Sequence, residues 1–406
     1  MSSSITFKTD TEGVTDSEGF FASADSADIR GKGDERLDTG VLYSIAPCAA
    51  AGVFTKNAVK AAPVLDCERV LRAGGPVFGL VANSGNANAC TGNQGISDSL
   101  SMLQTAESAS GSPKGSFLVC STGRIGDFLP MDKITPTVKS VASRALDGEK
   151  EGTKFSECIL TSDTRKKTCT ATFAVEGNTV TIGGAAKGAG MIQPNMATML
   201  AFITTDIAAE STVLQDLLKE SVKHSFNAIT VDGDMSTNDT VLLLANGQSG
   251  VSLDETSMKR FQEALFQVCD CLADKIVADG ERITKVVEIL VAGAASDQDA
   301  ESISRSIGNS LLVKTSWYGN DPNWGRLMEA LGYANAQIDQ YIIDISYDGV
   351  PALVGGDPVP ENKPKWKKVV SKPRFTIRIN MHQGDGNFRL RASDLTEDYV
   401  DFNKSE

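Results

Sequence analysis

The stretch from Lys187 to Leu200 combines a lysine, a dense group of small residues and a threonine, and it strongly restricts how the chain folds. Before it, alternating apolar and polar residues at 168–182, broken by a Glu-Gly-Asn turn, predict a β-hairpin. After it, the apolar run 199–203 predicts a buried strand. Thr198 therefore lies at the start of a buried strand, where a threonine is usually structural.

Thr198 acquires a different chemistry if the Ala197–Thr198 peptide bond is cut, because it then becomes an N-terminal threonine. The freed α-amine would lie beside the hydroxyl of the same residue, and this pairing activates a threonine nucleophile without a histidine. An α-amine has a pKa of about 7.7–8.0, so a sizeable fraction is unprotonated at neutral pH and acts as a base. The chain contains 2 histidines, too few to favour a histidine-dependent triad. Residue types alone leave both interpretations of Thr198 open.

Three other polar segments carry candidate catalytic groups. Thr122 and Gly123 follow an apolar strand pattern, and a threonine hydroxyl with a glycine N–H in a tight turn stabilises a developing oxyanion. Glu281 lies between a predicted helix and the buried strand that begins at Val286. The segment 227–240, rich in Asp, Asn and Thr, lacks the glutamate spacing of an EF-hand and predicts a hydrogen-bonded turn that shapes a site. Each segment is also typical of an ordinary structural turn.

Helix and strand patterns are intermingled along the chain, which predicts the α/β class (α+β layers). Periodic apolar residues predict helices at 97–109, 211–226, 255–278, 299–311 and 323–334. The segment 355–368, rich in Pro and Lys, predicts an exposed loop or hairpin. A length of 406 residues suffices for two or three domains.

Charge and composition argue against several classes of protein. The net charge is −13 without a long basic cluster, so we expect no nucleic-acid partner. No apolar stretch approaches the ~20 residues of a membrane span, so we expect no membrane partner. The 8 cysteines are scattered and, with 2 histidines, form no zinc pattern, so we expect no metal site. The N-terminal residues match neither a signal peptide nor a transit peptide, which favours a cytoplasmic location.

Further segments complete a pattern that spans nearly the whole chain. They are Ala51–Asn57, Ala61–Pro63, Asn83–Gly92, Thr161–Thr164, Val313–Thr315, Gly319–Arg326 and Asp394–Thr396. Together with the four polar segments above, and in this order, they resemble the ornithine acetyltransferase (glutamate N-acetyltransferase) family of arginine biosynthesis. Several of the segments are long and specific, so the resemblance does not depend on any one of them.

The resemblance implies a precursor that cuts itself before Thr198, giving chains 1–197 and 198–406. Two such pairs would form a heterotetramer of two α and two β chains. The implied fold is a two-domain ornithine-acetyltransferase fold, analogous to but distinct from the N-terminal nucleophile hydrolases. The implied reaction moves an acetyl group from N2-acetylornithine to glutamate by a ping-pong route through an acetyl-threonine. The substrates are small amino acids and no cofactor is expected, although some members use acetyl-CoA as a co-substrate.

The resemblance also implies a role for individual residues. Thr198 is the expected nucleophile and acetyl carrier, and Ala197 is its neighbour across the cleaved bond. The expected oxyanion donors are Thr122 and Gly123. The expected substrate contacts are Thr161, Lys187, Thr198, Glu281 and Asn403. Among these, the lysine suits an α-carboxylate and the glutamate suits the δ-ammonium of ornithine.

Some positions depart from the family pattern, and three departures flank residues assigned to the substrate. Arg282 and Ile283 stand where the family has Gly-Ala after Glu281, and the chain lacks the family's terminal threonine. Arg124 replaces a hydrophobic residue after the oxyanion pair. An ion pair between Arg282 and Glu281, worth up to about 1 kcal/mol if exposed, would weaken the hold on an ammonium. This clustering motivates the hypothesis of reduced ornithine specificity.

Two other functions stay open on the sequence alone. An N-terminal-threonine hydrolase, similar to an aminopeptidase, would use the same nucleophile with water as the acceptor. A non-catalytic relative would keep the fold and stay uncleaved. Cleavage before Thr198 separates both enzymes from the non-catalytic relative, and transfer to glutamate separates the transferase from the hydrolase.

Overall fold

The computed structural model describes residues 5–193 and 199–404, which form two compact units. The first unit is built from described residues of the segments Met1–Ala189, Asn195–Asn227 and Met235–Ile276, and the second from those of Gly190–Pro194, Ala228–Asp234 and Val277–Glu406. Ala197 and Thr198, the predicted cleavage and nucleophile positions, lie outside the described residues. Each unit combines segments from both sides of the Ala197–Thr198 bond, and the division into chains 1–197 and 198–406 stays a prediction.

The helices and strands are numbered along the chain. The strands are β1 (Thr6–Thr9), β2 (Phe20–Asp25), β3 (Thr39–Phe54), β4 (Val77–Asn83), β5 (Phe117–Ser121), β6 (Lys167–Val175), β7 (Asn178–Lys187), β8 (Leu200–Thr205), β9 (Ile229–Thr230), β10 (Thr240–Ala245), β11 (Val286–Ala294), β12 (Asp344–Tyr347), β13 (Val350–Val354), β14 (Asp357–Pro358), β15 (Arg374–Asn380) and β16 (Gly386–Ser393). The α-helices are α1 (Ala62–Ala73), α2 (Gly92–Ala109), α3 (Met131–Leu146), α4 (Gly152–Cys158), α5 (Ser211–Lys223), α6 (Met258–Ala278), α7 (Asp297–Asn309), α8 (Leu311–Tyr318), α9 (Trp324–Gly332), α10 (Lys363–Val370) and α11 (Glu397–Asn403). Short 3-10 helices occur at Gly13–Thr15, Phe226–Ala228 and Pro360–Asn362.

The first unit is organised by a sheet of order β1-β6-β7-β8-β10-β3-β4-β5, with β2 paired to β3 outside this path. β3 is 16 residues long, and this length lets it pair antiparallel with β10, β2 and β4 along its course. β8 pairs antiparallel with β7 and parallel with β10. Because β7 precedes the Ala197–Thr198 bond and β8 follows it, the segments on the two sides of this bond share one sheet.

The core of the first unit lies between this sheet and helices whose apolar residues recur at helical spacing. The buried face of α3 consists of Ile134, Val138, Val141, Ala142 and Ala145. Phe155 of α4 meets Phe202 of β8 edge to face, with 5.6 Å between ring centroids. Burying one Val, Leu or Phe side chain contributes about 1.5–3 kcal/mol, so these faces fix which side of each helix turns inward.

The second unit contains a sheet of order β14-β13-β12-β15-β11-β16-β9. β11 pairs parallel with β15 and antiparallel with β16, so it lies inside the sheet, and its Val287, Ile289 and Val291 are buried. Residues of α7, α8, α9 and α10 complete the core of this unit. Within it, Trp317 and Phe375 meet edge to face, with 6.4 Å between ring centroids.

The mixed α/β class and the hairpin at 168–182 are confirmed, the latter as β6 and β7. The exposed loop or hairpin expected at 355–368 is wrong in its second half, because α10 begins at Lys363. Trp366 explains the difference: it is buried, and its indole N–H donates to the carbonyl oxygen of Pro351 at 2.8 Å. Among residues 5–193 and 199–404, no helix is both long enough and apolar enough to span a membrane.

Candidate active site

The turn after β5 presents the two predicted oxyanion donors. Thr122 is buried, and its amide donates to the carbonyl oxygen of Asn83 at 3.0 Å. Gly123 has a φ of 133°, and a Cβ there would lie 2.4 Å from the amide nitrogen of Asn86. Both the backbone conformation and the close contact exclude a side chain at this position. Within the described residues, the Thr122 hydroxyl has no hydrogen-bond partner.

Two buried asparagines, which sequence reasoning did not assign, hold this turn. Asn238 Nδ2 donates to the carbonyl oxygens of Ala87 at 2.6 Å and Ser121 at 2.8 Å. Asn83 Oδ1 accepts from the Ser121 hydroxyl at 2.6 Å. Because both amides are shielded from water, these bonds fix the backbone that leads into Thr122. The polar composition around Asn238 was the available signal, and the hydrogen-bonded turn predicted there is confirmed.

Lys187 and Thr161, both predicted substrate contacts, lie together in the first unit. Lys187 is 1% exposed at the end of β7, and its Nζ donates to Thr161 Oγ1 at 2.6 Å. The same ammonium lies 3.7 Å from Asp163 Oδ2. Asp163 Oδ1 also accepts from Lys167 Nζ at 2.6 Å and from the amide of Gly188 at 2.7 Å. Asp163, which sequence reasoning left without a role, is the centre of this cluster.

The lysines of this cluster control the charge of Asp163. Burial alone would raise the pKa of Asp163, but the ammonium groups of Lys187 and Lys167 outweigh burial and hold that pKa well below the usual carboxyl range. The two lysines and the amide of Gly188 therefore keep this buried carboxylate ionised.

Asp239 lies against the segment that immediately follows Thr198. Its Oδ1 accepts from the amide of Met199 at 3.1 Å, and the carbonyl oxygen of Met199 accepts from the amide of Thr240 at 3.1 Å. Asp239 is fully buried, and burial raises the pKa of its carboxyl group well above the usual value, although the Met199 amide opposes this. Sequence reasoning missed this residue because it is one of three aspartates in a single polar segment.

In the second unit, Glu281 is packed against a glycine. A Cβ at Gly190 would lie 2.5 Å from either carboxylate oxygen of Glu281, so the missing side chain makes room for the carboxylate. Asn403 Nδ2 donates to Glu281 Oε2 at 3.3 Å and to the carbonyl oxygen of Tyr399 at 2.9 Å. Glu281 and Asn403, both predicted substrate contacts, are therefore in direct contact.

Carboxylates gather near the Tyr399 hydroxyl. Asp232 accepts from the amides of Met191 at 2.6 Å and Ile192 at 2.8 Å, and from the Tyr399 hydroxyl at 3.3 Å. Burial raises the pKa of Asp232. Burial also raises the pKa of Tyr399, and the nearby carboxylates of Asp232 and Glu281 raise it further. These surroundings favour a cation over an anion.

Arg282 makes a different contact from the one expected. Among the described residues its guanidinium forms no ion pair with Glu281 and instead lies over the Phe402 ring, 5.0 Å from the centroid. Its φ of 54° is in the left-handed region, which suits the glycine of the family pattern. Arg124 is exposed, and its amide donates to the carbonyl oxygen of Gly85 at 3.4 Å. The Arg282–Glu281 pair is therefore corrected to an Arg282–Phe402 contact.

The predicted site residues that the structure describes fall into two groups. The first unit contains Thr122, Gly123, Thr161 and Lys187, and the second contains Glu281 and Asn403. Throughout the described ranges, no three His, Cys, Asp or Glu side chains are grouped so as to hold a metal ion.

The sequence matches the ArgJ family over residues 22–405. It is 43% identical over 396 residues to the arginine biosynthesis bifunctional protein ArgJ of Symbiobacterium thermophilum, which covers 97% of this chain and 98% of that protein. The chain belongs to the ArgJ family. The family resemblance seen in the sequence motifs is thereby confirmed.

Two solved structures are similar to this ArgJ-family chain. One is the arginine biosynthesis bifunctional protein ArgJ of Bacillus halodurans, with 37% identity, a TM-score of 0.49, and coverage of 50% of this chain and 98% of the solved chain. The other is the ornithine acetyltransferase of Mycobacterium tuberculosis complexed with ornithine, with 37% identity, a TM-score of 0.42, and coverage of 47% of this chain and 98% of the solved chain.

Proposed function

We propose that this ArgJ-family protein is an acyltransferase of arginine biosynthesis that moves an acetyl group from N2-acetylornithine to glutamate. The acetyl group is carried on Thr198 after cleavage of the Ala197–Thr198 bond. Family membership over nearly the whole chain supports the reaction. The residue assignments come from the family resemblance of the sequence motifs, and Thr198 itself lies outside the described residues.

The observation that carries the proposal is the turn at Thr122 and Gly123. A buried polar group left without a partner costs about 1–3 kcal/mol, and the Thr122 hydroxyl is such a group among the described residues. A developing oxyanion is the partner that this hydroxyl and a neighbouring glycine N–H would serve. The asparagine contacts that fix the turn hold these donors in place before charge develops, which is what electrostatic stabilisation of a transition state requires.

Maturation begins when Thr198 Oγ attacks the carbonyl carbon of Ala197. The peptide C–N bond breaks, an ester joins Ala197 to the threonine oxygen, and the amine of Thr198 is released. Water then hydrolyses the ester, leaving a free carboxylate on Ala197 and an N-terminal threonine. The released amine is the base that later accepts the proton of the Thr198 hydroxyl.

In transfer, Thr198 Oγ attacks the acetyl carbonyl of acetylornithine, and the resulting oxyanion is stabilised by Thr122 and Gly123. Collapse of this intermediate breaks the amide bond, so ornithine leaves as an amine and the acetyl group stays as a threonine ester. The α-amine of glutamate then attacks the ester and regenerates the hydroxyl. Lys187 takes the substrate α-carboxylate and Glu281 takes the δ-ammonium. Acetyl-CoA is a second acetyl donor in this proposal.

Cleavage would leave the two chains joined by a common sheet. β7 and β3 precede the cleaved bond, β8 and β10 follow it, and β8 pairs with β7 while β10 pairs with β3. Separating the fragments would expose these strand edges and the apolar core between sheet and helices. We assign the mature protein two chains of each kind, as a cytoplasmic heterotetramer.

Intact-mass spectrometry and activity of wild type and Thr198→Ala test the proposal. The wild type should give two fragments, the second beginning at Thr198, and should transfer acetyl groups from acetylornithine to glutamate. Thr198→Ala should remain one chain of 43.0 kDa and lose transfer entirely. A wild-type protein that stays whole and inactive would contradict the proposal, and acetate release that is independent of glutamate would assign a hydrolase instead.

A further inference from the structure

The C-terminal helix α11 is fastened at both ends to the residue that follows Glu281. At its start, Thr396 Oγ1 accepts from the amide of Tyr399 at 3.0 Å as the N-cap and donates to the carbonyl oxygen of Arg282 at 2.8 Å. At its end, the Phe402 ring lies under the guanidinium of Arg282, 5.0 Å away. A single residue therefore contacts both ends of a helix of 7 residues.

The end of this helix positions Asn403. Asn403 directly follows Phe402 and donates to Glu281 Oε2 at 3.3 Å. A helix of this length has no stability of its own in water, so its last turn depends on contacts such as the Phe402 stack. Losing the stack would let Asn403 move away and would leave the Glu281 carboxylate less firmly held.

Arg282 has a strained backbone conformation. Its φ of 54° is strained for any residue with a Cβ and is relaxed for glycine. Glycine at this position would still present the carbonyl oxygen that accepts from Thr396. The contact that glycine could not make is the one between the guanidinium and Phe402.

We infer that Arg282 is a positioning residue for substrate binding. Its guanidinium stacks on the Phe402 ring, and this contact holds the neighbouring Asn403 against Glu281. The inference rests on the proposed role of Glu281 in binding the δ-ammonium of the substrate. Among the described residues the guanidinium contacts an aromatic ring and forms no ion pair with Glu281. The contact at position 282 therefore differs from the Arg282–Glu281 pair on which the hypothesis of reduced ornithine specificity was based.

Arg282→Gly separates positioning from folding. The melting temperature should stay the same or rise, because glycine relieves the strained backbone. The inhibition constant of L-ornithine should rise about two- to fivefold, which corresponds to the loss of an exposed cation–π contact of about 0.5–1 kcal/mol. L-norvaline has the same α-groups and side-chain carbons without the δ-ammonium, so its inhibition constant should not change. A merely structural arginine would shift both constants together.

Matched variants sharpen this test. Phe402→Leu should reproduce the ornithine effect, and the double variant with Arg282→Gly should add little to either single change. Arg282→Lys should be intermediate, because it keeps the charge and loses the planar stack. Glu176 is another exposed residue with a left-handed backbone, at a φ of 50° in the turn between β6 and β7. Glu176→Gly is therefore a control and should change neither inhibition constant. An unchanged ornithine constant in Arg282→Gly overturns the inference, as does an equal shift for norvaline.

Glu281→Gln distinguishes failure of this inference from failure of the proposed function. If Glu281→Gln weakens ornithine binding while Arg282→Gly does not, the positioning role of Arg282 is overturned and the role of Glu281 stands. If Glu281→Gln also leaves the ornithine constant unchanged, the glutamate does not bind the ammonium, and both the assignment and the inference are overturned. If both variants weaken the binding of ornithine and leave that of norvaline unchanged, the results support the role of Glu281 and the positioning role of Arg282.

Discussion

The two units surround their predicted substrate residues with opposite charge. In the first unit, two lysines share Asp163, and Lys187 is one of them. In the second unit, the hydroxyl of Tyr399 lies near several carboxylates, including that of Glu281. The predicted substrate residues of the first unit thus include a cation, and those of the second unit lie among carboxylates.

Buried ionisable groups also differ between the units. Asp163 is in direct contact with Lys167 Nζ at 2.6 Å and has a pKa well below the usual range. Lys314 is fully buried in the second unit and donates to the carbonyl and hydroxyl oxygens of Ser393. Burial lowers the pKa of Lys314 to about 8, and distant carboxylates oppose this only in part. A direct ionic partner therefore outweighs the effect of burial on the pKa of Asp163, whereas the carboxylates near Lys314 offset burial only in part.

Asp163→Asn is the stability change with the largest expected effect. It leaves two buried ammonium groups without their shared carboxylate, and breaking a buried ion pair costs about 3–5 kcal/mol. The folded pKa of Asp163 lies below the unfolded value of about 3.9, so its contribution is present above that pH and is lost as pH falls through the folded pKa. Urea denaturation at neutral and acidic pH measures the free energy of unfolding. The difference in this free energy between wild type and Asp163→Asn should become smaller at acidic pH.

Asp254→Asn is the matched control for Asp163→Asn. Hydrogen bonds from Thr256 and Ser257 lower the pKa of Asp254 to about 2, but this carboxylate is exposed and bonded to backbone and hydroxyl groups. Its replacement should therefore cost much less. Equal losses in the two variants would show that the ammonium groups contribute nothing beyond ordinary hydrogen bonding.

Local contacts were predictable from the sequence, and long-range contacts were not. The hairpin at 168–182 follows from the alternation of apolar and polar residues around a turn. The tight turn at Gly123 follows from a small residue directly after an apolar strand. The contact between Lys187 and Thr161 joins residues separated by 26 positions, and that between Asn238 and Ser121 joins residues separated by 117. Such contacts depend on which strands pair, which residue types do not reveal. The same limit kept Asp163 from being assigned.

Lys314→Met tests the second unit. The folded pKa of Lys314 is about 8, which lies below the unfolded value of about 10.4. The contribution of Lys314 to stability is therefore fully present above about pH 10.4 and is lost as the pH falls toward about 8. Methionine removes this dependence. The stability advantage of the variant over wild type should therefore be about 2 kcal/mol larger at about pH 7.5 than at about pH 9.5. Urea denaturation at both pH values measures it.

Lys285→Met provides the comparison for Lys314→Met. Lys285 is also mostly buried, and burial lowers its pKa. Its ammonium donates to Asn320 Oδ1 at 2.7 Å and to the carbonyl oxygen of Val370 at 2.9 Å. Lys285 is 6% exposed and Lys314 is 2% exposed, so the pH dependence should be weaker for Lys285. A stability difference for Lys314→Met that does not vary with pH would mean that Lys314 stays charged in the folded protein.

Asp239→Asn has the smallest expected effect and separates burial from pairing within the first unit. Asp239 is as buried as Asp163, but burial raises its pKa, and asparagine keeps the oxygen that accepts from Met199 at 3.1 Å. The free energy of unfolding should change by no more than about 1 kcal/mol at neutral pH. Because the folded pKa of Asp239 is raised, its contribution to stability is present below about pH 3.9 and is lost as the pH rises. The free energy of unfolding of Asp239→Asn relative to wild type should therefore increase with pH. A loss as large as that of Asp163→Asn would mean that an ammonium group, and not burial, sets the charge of Asp239.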